Sequence, residues 1–172
     1  MDIINKLKER WSGIEYPFLV HSKGELRFSE ITEQESVDLS NVYSGEVVAL
    51  IGDFDPQSIL TLLKLIDKKV ILVPLTVDTR GQHEYFFEAA LVNVVIEGNS
   101  VKRINNNQKH EFIEQLRKES HAGLVLFSTG TTGRPKAILH DLTLFMKRFE
   151  TPRPTLKTIN FLLLKGFRSY HA

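Results

Sequence analysis

Residues 128–136 read Ser-Thr-Gly-Thr-Thr-Gly-Arg-Pro-Lys and follow directly on the apolar run Gly123-Leu-Val-Leu-Phe127. Ser128, Thr129, Thr131 and Thr132 each bring a hydroxyl donor. Gly130 and Gly133 can take positive φ, so backbone amides can converge on an anion with no Cβ in the way. Lys136 adds a mobile point charge suited to a phosphate oxygen. A polyphosphate fits this chemistry better than a neutral ligand. The alternative is a solvated turn, since glycine and threonine are common turn residues, but the length of the run, its place after a strand and its Pro-Lys ending favour an anion loop. A Walker loop is excluded, because that motif needs Gly-Lys followed by Ser or Thr at the mouth of a helix. Here Pro135 precedes Lys136, Ala137 follows it, and strand-like residues come next.

Other reactive side chains give weaker patterns. The histidines, at 21, 83, 110, 121, 140 and 171, form no pair at metal-ligand spacing on an evident helix face, so no zinc site is expected. His140-Asp141 invites a dyad reading. Adjacent strand residues point to opposite faces, however, and Asp141 is placed to cap a helix carrying Leu142, Leu144, Phe145 and Phe149. Asp53 and Asp55 fall at the end of a strand where α/β sites gather, yet Asp55 before Pro56 reads as a cap. Phe86, Phe87 and Phe112 have no basic stripe beside them and read as packing residues. With no cysteine, thiolate nucleophiles, disulfides and sulfur-ligated metals are excluded.

These residues need a scaffold. A chain of 172 residues that is 42% hydrophobic can bury one sizeable core. Its 22 basic and 21 acidic side chains nearly cancel, which argues against nucleic acid as a partner. No apolar run is long enough for a membrane span, and the N-terminus lacks a signal-peptide core, so a soluble, cytoplasmic protein is expected. Ile3, Ile4, Leu7 and Trp11 predict a helix from Asp2 to Arg10. Phe18 to Val20 and Glu25 to Phe28 flank a turn at Ser22-Lys-Gly24 and predict a hairpin. A helix capped at Ser29 should run to about Leu39.

Val47-Val-Ala-Leu-Ile51 is a continuous apolar run of the kind a doubly covered parallel strand requires. Asp55 and Pro56 then start a helix with Ile59, Leu60, Leu62, Leu63 and Ile66 on its apolar stripe, and Val70 to Val73 is a second strand stopped by Pro74. That unit implies a right-handed crossover in a parallel sheet. A helix over Gln82 to Ala90 leads to a strand at Val92 to Ile96, and one over Gln108 to Lys118 leads to a strand at Gly123 to Phe127. Glu97 to Asn107 is a loop or edge hairpin. Thr151-Pro-Arg-Pro154 reads as a connector and Thr158 to Leu164 as a further strand. The fold class is α/β, a three-layer unit on a parallel sheet.

The sequence VLFSTGTTGRPK resembles the signature of the adenylate-forming (AMP-binding) superfamily, which includes acyl-CoA synthetases, fatty-acid and aryl-acid ligases, luciferases and peptide-synthetase adenylation domains. Gly45 to Leu75 is similar to that family's early strand-helix-strand segment ending in Val-Pro. The resemblance implies the first part of the family's large N-terminal domain. Residues 1–172 would be an incomplete AMP-binding domain with the C-terminal domain absent, since the family's downstream motifs find no place here. It also implies ATP and magnesium as cofactors, with the magnesium ligand outside this chain, and a carboxylic acid and coenzyme A or a carrier thiol as partners of the full-length family. Ser128, Thr129, Gly130, Thr131, Thr132 and Gly133 would cradle phosphate. Lys136 would supply charge as the catalytic residue, and Arg134, the variable position of the motif, would face solvent. Ala137 departs from the glycine usual after the loop lysine. Such a chain is expected to be inactive alone. A second reading is a non-catalytic nucleotide-binding or interaction module, paired as a homodimer that covers an unfinished sheet edge.

Overall fold

The computed structural model describes residues 2–21, 24–53, 55–128 and 133–148. The strand expected at Thr158 to Leu164, the connector before it and residues 129–132 of the loop lie outside them.

Helix α1, Ile3–Trp11, is capped twice: the Asp2 carboxylate accepts from the Asn5 amide at 3.2 Å, and that of Asp67 accepts from Ile3 at 2.6 Å. The expected hairpin forms as strands β1, Leu19–His21, and β2, Gly24–Leu26. Helix α2, Phe28–Thr32, departs from expectation at both ends. Arg27 is its N-cap, with its amide donating to the Glu30 carboxylate at 2.6 Å, and the helix stops at Thr32 instead of Leu39. Beyond it Val37 and Leu39 are buried while Asp38 and Ser40 are exposed, an alternation that belongs to extended chain. The Ser40 amide and hydroxyl both donate to Asp38, which holds its carboxyl below the ordinary range.

Strand β3, Val47–Ile51, is buried at every position. The Asp55 carboxylate caps helix α3, Pro56–Asp67, accepting from the Ser58 amide at 3.0 Å and hydroxyl at 2.6 Å, with Pro56 in the first turn as the sequence indicates. Strand β4 runs Ile71–Leu75, so Pro74 lies within it and does not stop it. The hydrogen-bond alternation explains this. The amide of Ile71 donates to Glu46 and the carbonyl of Leu75 accepts from Gly52, both toward β3, whereas the carbonyl of Val70 accepts from Gly123 on the other side. Pro74 therefore turns its missing donor away from β3, where no ladder bond requires it.

A short 3-10 turn, Val77–Gln82, leads into helix α4, His83–Ala89. Strands β5, Val94–Glu97, and β6, Ser100–Arg103, make the edge hairpin. Helix α5, Glu111–Glu119, strands β7, Gly123–Ser128, and β8, Lys136–Asp141, and helix α6, Leu142–Lys147, complete the described chain. The six-stranded sheet has the order β6-β5-β3-β4-β7-β8. Its four central strands are parallel and both edge strands antiparallel, so the sheet is mixed at its margins. Between β4 and β7 the register covers Ile71↔Gly123 and Leu72↔Leu124 only.

Alternate residues of the central strands face opposite layers. Val47, Ala49, Ile51, Ile71 and Val73 pack with Phe86, Ala90, Ile113 and Leu116 of the α4 and α5 side. Val48, Leu50, Leu72, Val94 and Ile96 pack with Leu65 of α3 and with Val37, Leu39 and Val42. Helix α1 and the β1-β2 hairpin close over the outer face of α3. No helix among the described residues is long and apolar enough to cross a membrane.

Candidate functional site

Strand β7 delivers Ser128 and β8 begins at Lys136, and the two residues are register partners. The Ser/Thr/Gly run therefore closes a hairpin whose ends are held side by side. Because β7 is parallel to β4, this hairpin loop stands at the carboxyl ends of the central strands, where α/β folds gather ligands. Ser128 is half-buried, Gly133 and Arg134 are exposed, and Lys136 is exposed with no ion-pair or hydrogen-bond partner for its ammonium among the described residues. The described part of the loop thus presents a hydroxyl and an uncompensated positive charge together. Thr129, Gly130, Thr131 and Thr132 lie outside the described residues.

Helix α4 touches both limbs of the hairpin. Phe86, buried, stacks on Phe127, the residue before Ser128, with ring centroids 4.2 Å apart. Its neighbour Tyr85 donates its hydroxyl to the Pro135 carbonyl at 2.7 Å, and the Arg134 guanidinium lies 5.4 Å from the Tyr85 ring centroid. Arg134 is solvent-facing as expected, but it is also engaged over a ring. No sequence signal singled out Tyr85, whose contact spans 50 residues. His83, at the start of α4, is buried and spends Nε2 on the Thr76 carbonyl at 3.0 Å and the Thr79 hydroxyl at 3.1 Å, which fixes the helix to the turn before it.

The remaining sequence candidates take structural positions. Asp53 is exposed, and its carbonyl accepts from the Asp55 amide at 2.8 Å within the turn. Phe86 is core and Phe112 is exposed on α5. Asp141 caps α6, accepting from the Leu144 amide at 2.8 Å, and His140 does not join it. The partner of Asp141 is instead His121, whose Nδ1 lies 2.7 Å from its carboxylate, with Glu119 at 3.4 Å from the same nitrogen. This is the group of three among the described residues that could face a metal ion. It ties the end of α5 to the start of α6 at the Gly123↔Asp141 end of the β7-β8 ladder, opposite the loop. The described residues of the loop bring no carboxylate, so they form no magnesium site there. A surface hollow of about 530 Å³ between α1, α3 and residues 36–40 shares no residue with the loop.

No protein-family model matches the chain, and no curated protein matches it. Solved structures do. The Klebsiella oxytoca NpsA N-terminal subdomain in complex with anthranilyl-AMSN matches with a TM-score of 0.59 at 20% identity, over 91% of this chain and 44% of that one. VinN in complex with L-aspartate matches with a TM-score of 0.53 at 14% identity, over 83% and 47%. NpsA-ThdA, an artificially fused adenylation-PCP di-domain from the same organism, matches with a TM-score of 0.55 at 19% identity, over 80% and 31%. The chain thus spans less than half the length of these solved chains. At such identities the likeness is one of fold. The layered, mostly parallel sheet of this chain accordingly shares the fold of the NpsA N-terminal subdomain.

Proposed function

We propose that this chain is the N-terminal portion of an ATP-dependent carboxylic acid ligase, similar to acyl-CoA synthetases, which activates an acid as its acyl-adenylate and releases pyrophosphate. The observation that carries this reading is the pairing of Ser128 with Lys136 at the carboxyl end of the sheet, with no partner for the Lys136 ammonium among the described residues. A carboxylate is ionised at neutral pH and needs no base to become a nucleophile. Its oxygen forms a bond to the α-phosphorus as the bond to the leaving pyrophosphate breaks. Negative charge builds on that leaving group, so donors and a cation aimed at it lower the barrier. Ser128, Thr129, Gly130, Thr131, Thr132 and Gly133 would supply the donors and Lys136 the cation. Coenzyme A or a carrier thiol would accept the acyl group in the complete enzyme. Support comes from the fold neighbours, since NpsA is solved with acyl-adenylate analogues and in an artificial fusion with a carrier protein.

The test is calorimetric titration of the 172-residue chain with ATP and with inorganic pyrophosphate. Weak binding is expected, and Lys136→Ala should weaken it by about 10-fold or more, as loss of a charge-assisted contact implies. Binding indifferent to Lys136, or none to either probe, would overturn the reading. The isolated chain should exchange no labelled pyrophosphate into ATP with any carboxylic acid, because activation requires the rest of the ligase.

A second reading, a non-catalytic module that pairs with a copy of itself, is favoured by one observation. Leu126 and Ile138, register partners on β7 and edge strand β8, are both exposed, as are Leu144 and Phe145 on α6. Sedimentation tests this second reading: the module should be a dimer, and a monomer with no nucleotide affinity would count against it.

A further inference from the structure

We infer that Tyr85 and Phe86 form a positioning clamp for the phosphate loop, each holding one limb of its hairpin, and that Tyr85 is a positioning residue for ligand binding. The inference rests on the reading of the loop as a phosphate holder. Two consecutive helical residues reach both limbs: the Phe86 ring packs on Phe127, while the Tyr85 hydroxyl and ring engage Pro135 and Arg134. The first contact is ordinary core packing, since Phe86 is buried. The second is not, because Tyr85 spends a directed donor on the backbone of an exposed loop.

That placement has physical consequences. Among the described residues the ladder ends at the Ser128↔Lys136 pair, and a glycine-containing loop loses much conformational freedom when a ligand fixes it. A hydrogen bond to the Pro135 carbonyl restrains the residue immediately before Lys136. Part of the ordering cost is then met before the ligand arrives, which raises affinity without any contact to the ligand. The ring also draws the Arg134 guanidinium toward α4, leaving Lys136 as the cation free to meet phosphate. The choice of tyrosine follows, because phenylalanine supplies the ring without the donor.

The experiment uses the 172-residue chain and three variants, Tyr85→Phe, Tyr85→Ala and Arg134→Ala, with inorganic pyrophosphate and ATP as probes. Tyr85→Phe should weaken pyrophosphate binding by about 2- to 10-fold, the range for one neutral hydrogen bond, and leave the melting temperature nearly unchanged. Tyr85→Ala should weaken binding further, and Arg134→Ala should cost no more than about 5-fold, as loss of an exposed cation–π contact allows. In parallel, 15N relaxation should show lower order parameters at the Arg134 and Lys136 amides in Tyr85→Phe. Unchanged affinity together with unchanged amide dynamics in Tyr85→Phe would overturn the clamp, as would affinity that falls only in step with melting temperature. If the wild-type chain binds neither probe, the phosphate-holding reading fails, and the relaxation data alone then decide whether Tyr85 restrains the loop.

Discussion

At the residue scale, the fold depends on a few places where one atom more or less matters. Gly123 opens β7 beneath α5, and a Cβ there would lie 2.9 Å from Leu116 Cδ1 and 3.0 Å from Ile71 Cγ1. Both neighbours are buried and cannot withdraw freely. Gly123→Ala should therefore cost about 1–3 kcal/mol of overpacking, read as a lower denaturation midpoint with the slope unchanged. The loop could be singled out in the sequence because its residues are contiguous and their types are unusual together. The residues that hold the loop were not. Tyr85 sits 50 positions from its acceptor, and nothing in the local pattern of α4 distinguishes it from a tyrosine at the edge of the core. The same holds for His121 and Asp141, whose contact spans 20 residues, although the capping role of Asp141 was readable from its place before Leu142.

At the element scale, caps and apolar runs carry the architecture. Replacing Asp55 by alanine removes two acceptors at the start of α3 and should lower stability by about 1 kcal/mol, measurable by urea denaturation. Strand β3 and helix α3 were readable from sequence because each is set by neighbours in the chain, a continuous apolar run in one case and an Asp-Pro start in the other. Helix ends were harder to place. Lys69, Leu91 and Ser120, just past α3, α4 and α5, adopt the left-handed conformation without being glycine, so the usual stop signal is missing. Helix α2 ended early because burial of Val37 and Leu39 favours extended chain over helix continuation. Pro74 misled for a related reason. Whether a proline ends a strand depends on which neighbour its nitrogen faces, and that is a property of the sheet and not of the strand.

At the scale of the whole molecule, one layered core holds the sheet, and its centre is the most sensitive place. Leu65 is fully buried against β3, β4 and β5, so Leu65→Ala should cost about 2–5 kcal/mol. That is a large share of the roughly 5–15 kcal/mol typical of a domain, and the variant should show a sharply lower melting temperature by calorimetry. The β8 edge raises a different expectation. Exposed Leu126 and Ile138 beside an edge strand favour association between copies, and Ile138→Lys should shift any dimer seen by sedimentation toward monomer. The short register between β4 and β7 adds a mechanical consequence. The β7-β8 hairpin is paired with itself along its whole length but joined to β4 only at Gly123 and Leu124, so it behaves as a cantilever rooted at one end and loaded at its tip by residues 128–136. Deflection of such a beam is greatest at the tip, and α4 serves as the prop beneath it. Native-state hydrogen exchange should then find the amides of Leu126 to Ser128 opening at lower free energy than those of β3, with the loop end of the hairpin the most compliant part of the sheet.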